Sequence, residues 1–97
     1  MWFFLLLLFL APPAKHSVLL EWVDDKNPSS TTYSVHRGDA ECTAAPTMIK
    51  IASGLTAKTW EDFDVKSNKK YCYTVTAFCG GTESFGAADR ITVIIPK

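Results

Sequence analysis

The chain has 97 residues, which suffices for one domain, because globular domains cluster around 100–150 residues. Ten Lys and Arg residues balance ten Asp and Glu residues, and no basic run occurs. A nucleic-acid partner is therefore not expected, since binding to a phosphate backbone needs clustered positive charge. The core of so small a domain is thin, so a covalent cross-link would help to stabilise it.

An uncharged apolar run, Trp2 to Ala11, opens the chain and is followed by Pro12 and Pro13. As a helix it would rise only about 15 Å, half of the roughly 30 Å hydrocarbon core of a bilayer, so it cannot span a membrane alone. Its length suits the apolar region of a secretory signal, which runs about 7–15 residues. However, no Lys or Arg precedes the run, and Ala11 and Ala14 make a weak cleavage site.

We therefore predict that residues 1–14 form a signal-like or membrane- or partner-inserting segment ahead of a domain at residues 15–97. One alternative is an apolar first strand packed within the fold or against a partner, and another is an artefact of the assigned start. If the run is retained, so many Leu and Phe side chains need burial in lipid or in another protein. The residues that would anchor the chain are Trp2, Phe3, Phe4, Leu5, Leu6, Leu7, Leu8, Phe9 and Leu10.

From Lys15 onward apolar and polar residues alternate with period two, as on half-buried β-strands. Strands are predicted around residues 18–23, 33–37, 48–51, 59–65, 71–78 and 91–95. Polar or glycine-bearing turns separate them, including Asp24–Ser30, Ser53-Gly54 and Gly80-Gly81, the last of which begins a longer loop. Short strands at regular spacing, with no helical periodicity, predict an all-β, antiparallel sandwich or barrel.

Four of these segments, SVLLEW, TYSVHRG, IKIASGLTAKTWEDFDV and KKYCYTVTAF, are followed by a Gly-containing loop and ITVIIP. In this order they resemble the fibronectin type III family over about residues 16–96, most closely its bacterial and phage-encoded members. Trp22 and Trp60 match its buried aromatic residues, and Val65 and Tyr71 match its tyrosine corner, in which the hydroxyl bonds to nearby backbone. The family's first strand is either reduced here to the Pro-rich stub or supplied by the apolar run.

The resemblance implies a two-sheet, antiparallel, immunoglobulin-like β-sandwich that binds or spaces rather than catalyses, although fold alone does not fix function. Trp22 and Trp60 could instead be platforms for sugar stacking, but both fall on the inward phase of their strands, which favours the core. The predicted core comprises Val18, Leu20, Trp22, Tyr33, Val35, Trp60, Tyr73, Val75, Ile91 and Val93.

The three cysteines allow one disulfide and leave one thiol free. In a sandwich of this family the strands at 33–37 and 71–78 are antiparallel neighbours, which brings Cys42 within reach of Cys72. Cys79 lies about 23 Å further along the strand, at roughly 3.3 Å per residue, beyond the ~7 Å Cα separation that a disulfide can bridge. We predict a Cys42–Cys72 bond, a free Cys79 and an oxidising secreted, periplasmic or cell-surface location. The alternative is three reduced cysteines in a cytosolic chain.

Other chemically suggestive residues have ordinary interpretations. Arg37-Gly38-Asp39 spells an integrin-binding tripeptide, yet it lies where a strand ends, as a common turn does. Glu61, Asp62 and Asp64 alternate across a strand, which indicates a solvated edge rather than a calcium site. His16 and His36 lie apart and are interpreted as surface residues. No pattern indicates a metal site, a cofactor or a catalytic constellation, so an enzyme is not expected.

Two surfaces are candidates for binding. The outward phase of two strands carries Ser34, His36, Thr74, Thr76 and Phe78, and the loop Gly80–Asp89 carries Glu83 and Phe85. The predicted function is a non-catalytic extracellular or surface module that contacts a protein or glycan, or that spaces parts of an assembly. The alternative is a structural accessory subunit of a membrane or surface assembly, held to lipid or a partner subunit through residues 1–11.

Overall fold

The computed structural model describes residues 2–11, 15–85 and 90–97, with side chains for 16–83 and 90–97. The strands are β1 (Trp2–Ala11), β2 (Lys15–Asp24), β3 (Thr32–Gly38), β4 (Ile49–Leu55), β5 (Thr59–Asp62), β6 (Lys70–Cys79), β7 (Thr82–Phe85) and β8 (Ile91–Ile94). A 3₁₀ turn, Cys42–Ala44, lies between β3 and β4. None of the helical structure in these ranges is long and apolar enough to cross a membrane.

Two antiparallel sheets account for the period-two alternation of the sequence. One sheet has three strands in the order β1-β2-β5, and the other has five, in the order β4-β3-β6-β7 with β8 also paired to β6. The register of β3 on β6 runs from Thr32 opposite Phe78 to Gly38 opposite Cys72. Because successive side chains on a strand point to opposite faces, each sheet offers one apolar face to the interior.

The core is a single cluster between the sheets. Trp22 and Tyr33 meet edge to face across it, with ring centroids 5.5 Å apart, a favoured arrangement for aromatic pairs. Two residues predicted as core, Trp60 and Ile91, are half-buried and pack against its margin. The buried cluster comprises Val18, Leu20, Trp22, Tyr33, Val35, Tyr71, Tyr73, Val75, Ala77, Val93 and Ile95.

The apolar run forms strand β1 and pairs with β2 along its whole length. The register places Trp2 opposite Asp24 and Ala11 opposite Lys15. This arrangement corresponds to the alternative in which the run supplies the first strand of the sandwich. Residues 12–14, which include Ala14 of the weak cleavage site, lie outside the described residues, and removal of the run as a signal stays a prediction.

Two glycine-bearing turns differ from the sequence prediction. Gly80 and Gly81, with φ of +60° and +81°, form a tight hairpin between β6 and β7 rather than the start of a long loop, because two successive positive φ values make a primed turn. Ser53 and Gly54 lie inside β4, where the register against β3 shifts. Gly54, with φ of +65°, absorbs that bulge without ending the strand.

The predicted disulfide between Cys42 and Cys72 is confirmed. It joins the 3₁₀ turn after β3 to the interior of β6, with a Cα–Cα distance of 4.9 Å and a sequence separation of 30 residues. Cys72 is fully buried, whereas Cys79 is a free, half-buried thiol. The bond therefore connects the loop between β3 and β4 to a central strand of the larger sheet.

The hydroxyl of Tyr71 closes the corner before β6. It accepts a 3.0 Å hydrogen bond from the backbone N–H of Lys66, while the Nζ of Lys69 lies 5.3 Å from the ring centroid. Val65 packs at the margin of the core beside this corner. The local backbone is thus held by one side chain whose ring belongs to the core.

Replacing Tyr71 with Phe is expected to lower the free energy of unfolding by about 1 kcal/mol, because the Lys66 amide loses its partner while the ring stays in place. Urea denaturation measures the change. Lys66→Ala is the matched control, since it keeps the amide and should leave stability within about 0.5 kcal/mol of the parent. Equal effects from the two variants would show that the hydroxyl does not stabilise the corner.

Candidate functional site

A buried carboxylate, Asp62, lies at the end of β5 and organises the margin between the two sheets. It is 2% exposed, which corrects the expectation of a solvated edge for this residue, whereas the Asp64 side chain is exposed as expected. Its Oδ2 accepts hydrogen bonds from Arg37 Nη1 at 2.8 Å and from the Tyr73 hydroxyl at 2.7 Å. Its Oδ1 accepts the backbone N–H of Asp64 at 3.0 Å. A buried charge of this kind needs such partners.

Arg37 belongs to β3, so the tripeptide Arg37-Gly38-Asp39 lies partly in this strand and partly in the turn that follows it. Its guanidinium also donates to the backbone oxygen of Asp64 at 3.0 Å and lies over the ring of Tyr71, 5.4 Å from the centroid. Burial disfavours the cation, but the hydrogen bond and charge of Asp62 outweigh it and raise the pKa of Arg37. Burial, followed by the bond to Asp62, raises the pKa of Tyr73. The guanidinium is therefore a fixed structural cation.

An open cleft of about 520 Å³ lies beside this network, between the edges of β4 and β5. Ile51 and Trp60, both half-buried, form its apolar lining. Phe63, which is 62% exposed, stands at its mouth. Ile49, the neighbour of Ile51 on the same face of β4, is 61% exposed and extends the apolar surface. The cleft thus presents apolar groups that the domain itself leaves partly uncovered.

Negative charge surrounds the mouth of the cleft. Three carboxylates, Glu61, Asp62 and Asp64, line it together with one guanidinium, and that guanidinium is already paired with Asp62. Glu61 accepts a 2.6 Å hydrogen bond from Ser17. The Asp64 side chain is 91% exposed and its carboxylate lies 3.7 Å from Arg37 Nη2. The rim therefore retains uncompensated negative charge, which favours a cationic group beside an apolar one.

Comparison with known proteins gives a structural match. No protein-family model matches the chain, and no curated protein matches it. The solved structure of the twitchin kinase region from C. elegans, a fragment that contains Fn3 and Ig domains, superposes with a TM-score of 0.61 at 16% identity. The fold is an immunoglobulin-like β-sandwich of the fibronectin type III type. The match covers 84% of this chain but only 14% of the twitchin chain.

The polar face predicted on the sandwich is brought together but is not open to solvent. Ser34 lies opposite Thr76, and His36 lies opposite Thr74. All four are buried, between 1% and 9% exposed, which corrects their interpretation as an outward binding face. The cause is their central position, since the longer Lys50 and Glu83 on the flanking strands β4 and β7 form an ion pair over them at 3.5 Å.

His36, Thr76 and Glu83 form a hydrogen-bonded chain on this face. Thr76 donates its hydroxyl proton to Glu83, so the Nε2–H of His36 donates to Thr76 Oγ1 at 3.1 Å. A hydroxyl whose proton is committed to a carboxylate is not arranged as a nucleophile with a histidine base. The hydrogen bonds hold these three side chains in place on this face of the sheet. Within 15–85 and 90–97, no group of three His, Cys, Asp or Glu side chains is placed to hold a metal.

Acidification is expected to destabilise the sandwich through His36. Burial lowers its pKa from 6.5, Glu83 raises it and Lys50 lowers it. The unfolded chain takes up a proton near pH 6.5, whereas the folded chain takes it up only at lower pH. The free energy of unfolding therefore falls as the pH drops below about 6.5.

Urea midpoints measured between pH 7 and pH 5 check this expectation. His36→Gln should reduce the fall in the free energy of unfolding over this pH range. Glu83→Gln should extend that fall to lower pH, because it removes the carboxylate that favours the imidazolium of His36. An unchanged slope in His36→Gln would assign the pH dependence to another group.

The remaining predicted site residues are dispersed. Phe78 is 47% exposed on β6, and Glu83 lies on β7 rather than in a loop. The side chain of Phe85 and the loop residues 86–89 lie outside the described residues. His16 is 4% exposed, so neither histidine is a surface residue. Both belong to β-strands that pair with a neighbouring strand.

Proposed function

We propose that this chain is a non-catalytic module that binds a protein partner through the cleft between β4 and β5, in an extracellular or surface-exposed setting. The observation that carries the proposal is the exposed Phe63 beside half-buried Trp60, next to the 91% exposed carboxylate of Asp64. Apolar groups left open and rimmed by polar ones are typical of interaction sites.

An extended basic and apolar segment fits this cleft. β4 and β5 are edge strands of their sheets, so the cleft between them is accessible to a partner that binds through side-chain contacts. An aliphatic side chain would cover Trp60 and Phe63, while a Lys or Arg beside it would approach Asp64. A neutral glycan could stack on the aromatic rings but would gain nothing from the rim charge. The charge therefore favours a protein partner.

The setting rests on the cysteines and on the resemblance of the sequence. The Cys42–Cys72 bond is compatible with an oxidising compartment. The order of segments over residues 16–96 is most similar to bacterial and phage-encoded fibronectin type III domains, and membership of that group is part of this proposal.

Selection from a library of random displayed peptides tests the proposal. Selected peptides should be enriched in Lys or Arg adjacent to aliphatic residues. Phe63→Ser should weaken their binding about tenfold, since the burial of a Phe side chain contributes about 1.5–3 kcal/mol. Asp64→Lys should weaken it further and reduce its dependence on salt.

Ile94→Ser is the matched control for Phe63→Ser, because Ile94 on β8 is exposed to the same degree, 63%, and does not line the cleft. It should leave binding unchanged. Selected peptides that bind Phe63→Ser as well as the parent would contradict the proposal. Tight binding of a neutral oligosaccharide such as chitotetraose at the cleft would show that the partner is a glycan rather than a protein.

A further inference from the structure

Strand β1 differs from the other sheet edges of the described chain. β5, β7 and β8 have only four residues each, and β4 carries Lys50 and the bulge at Gly54. Short length, charge and bulges are the devices by which proteins prevent edge strands from pairing with other chains. β1 has ten residues with no charge, proline or glycine and occupies one end of its sheet. Among the described strands, this edge therefore lacks the short length, the charge and the bulge that protect the others.

We propose that β1 pairs antiparallel with β1 of a second copy of this chain and joins two three-stranded sheets into one. An outer strand edge presents a row of backbone N–H and C=O groups whose natural partner is another strand. Since β1 carries no charge, no like charges meet when the strand pairs with itself.

The order of residues in β1 suits a two-fold axis. In the register on β2, the odd-numbered positions of β1 lie opposite Val23, Glu21, Leu19 and Ser17. These positions read Phe3, Leu5, Leu7, Phe9. This order is the same in both directions about Leu6. An interface between identical copies requires a self-complementary surface. With Leu6 on the axis, Phe3 lies opposite Phe9 of the second copy, and Leu5 lies opposite Leu7.

The pairing would leave the cleft accessible. β1 and β5 are opposite ends of the smaller sheet, so the two clefts of a pair lie at its two far ends. A pair could therefore contact two sites of one partner and gain avidity without new contacts. The inference does not depend on the proposed function, because self-association is measured without any ligand.

Size-exclusion chromatography with light scattering of the full chain tests the inference, in a Cys79→Ser background that prevents a disulfide between copies. We expect twice the mass of the 10.7 kDa chain. The double variant Leu5→Lys/Leu7→Lys should be monomeric, because it places like charges opposite each other at the interface. Val23→Lys adds a charge to the same face of β2, away from the edge, and should remain dimeric.

A cross-link provides a readout that does not require a charged variant to fold. With Leu6 on the axis, Leu6→Cys should form a disulfide between copies on mild oxidation, and Leu19→Cys on β2 should not. A monomeric parent, large species of irregular mass, or no Leu6→Cys cross-link would overturn the inference. So would intact mass showing loss of residues 1–14, or a monomer that binds phosphatidylcholine vesicles, since a lipid surface would then cover the strand.

Discussion

Replacing both Cys42 and Cys72 with alanine is expected to lower the free energy of unfolding by about 3–4 kcal/mol. The bond closes a loop with a sequence separation of 30 residues. In the chain-entropy model, its loss increases the conformational entropy of the unfolded state and so stabilises that state by this amount of free energy. A domain of this size has only about 5–15 kcal/mol of total stability. Guanidinium denaturation without reductant measures the change, and the parent treated with reductant should move to the same midpoint.

The control is Cys79→Ala, which removes a half-buried thiol that takes no part in the bond. Its effect should stay within about 1 kcal/mol. If the double variant lost no more stability than this control, the disulfide would have no significant role in stabilising the fold. Equal midpoints for the parent with and without reductant would lead to the same conclusion.

The second large effect is expected at Asp62. Asp62→Ala removes the nearest counter-charge of the Arg37 guanidinium, whose side chain is 16% exposed, and leaves the Tyr73 hydroxyl without its acceptor. The guanidinium then keeps only the longer ion pairs with the exposed Asp39 and Asp64, at 3.8 and 3.7 Å. Removal of one partner of a buried ion pair typically costs about 3–5 kcal/mol. Chemical denaturation at pH 7 and low salt is the measurement, since high salt would weaken the charge component.

Asp64→Ala is the matched control. Its two hydrogen bonds to the network are made by its backbone, which accepts from Arg37 and donates to Asp62. Its side chain is 91% exposed and adds only an ion pair to Arg37 at 3.7 Å. It should change stability by no more than about 0.5 kcal/mol. Similar losses for both variants would show that the Asp62 carboxylate does not hold the two sheets together at this margin.

The strand pattern and the disulfide are predictable because both depend on residue order. Alternation along β2, β3 and β6 determines which side chains enter the core, and the pairing of β3 with β6 brings Cys42 to Cys72. Turn geometry was harder to predict. Ser53-Gly54 and Gly80-Gly81 have the same turn-forming composition, yet one is a bulge within a strand and the other a tight hairpin. Pairing with a neighbouring strand decides between them.

The ion pair between Arg37 and Asp62 could have been predicted from the sequence. Arg37 follows Tyr33 and Val35 on the inward phase of its strand, and Asp62 follows Trp60 on the inward phase of another. Opposite charges on the inward phase of two strands predict an ion pair, because neither charge could be buried alone. Exposure of Ile49 and Phe63 carried no such signal, since it depends on how far the sheet edges stand apart.

The burial of the His36 face could not be read from alternation. Period two assigns a face to each residue, but exposure on that face also depends on the flanking strands. Lys50 and Glu83 lie over the short Ser and Thr side chains only because β4 and β7 flank the central pair. The length of the side chains on the neighbouring strands therefore determines whether this face is exposed, which alternation alone does not.

We propose that the cleft between β4 and β5 binds an extended basic and apolar segment. Titration of isotope-labelled protein with a selected peptide, followed by NMR, tests it most directly. Chemical-shift changes should concentrate in Ile49–Leu55 and Thr59–Asp62, including the indole of Trp60. Phe63→Ser should raise the dissociation constant about tenfold. Shift changes confined to β6 and β7, or an unchanged dissociation constant for Phe63→Ser, would contradict it.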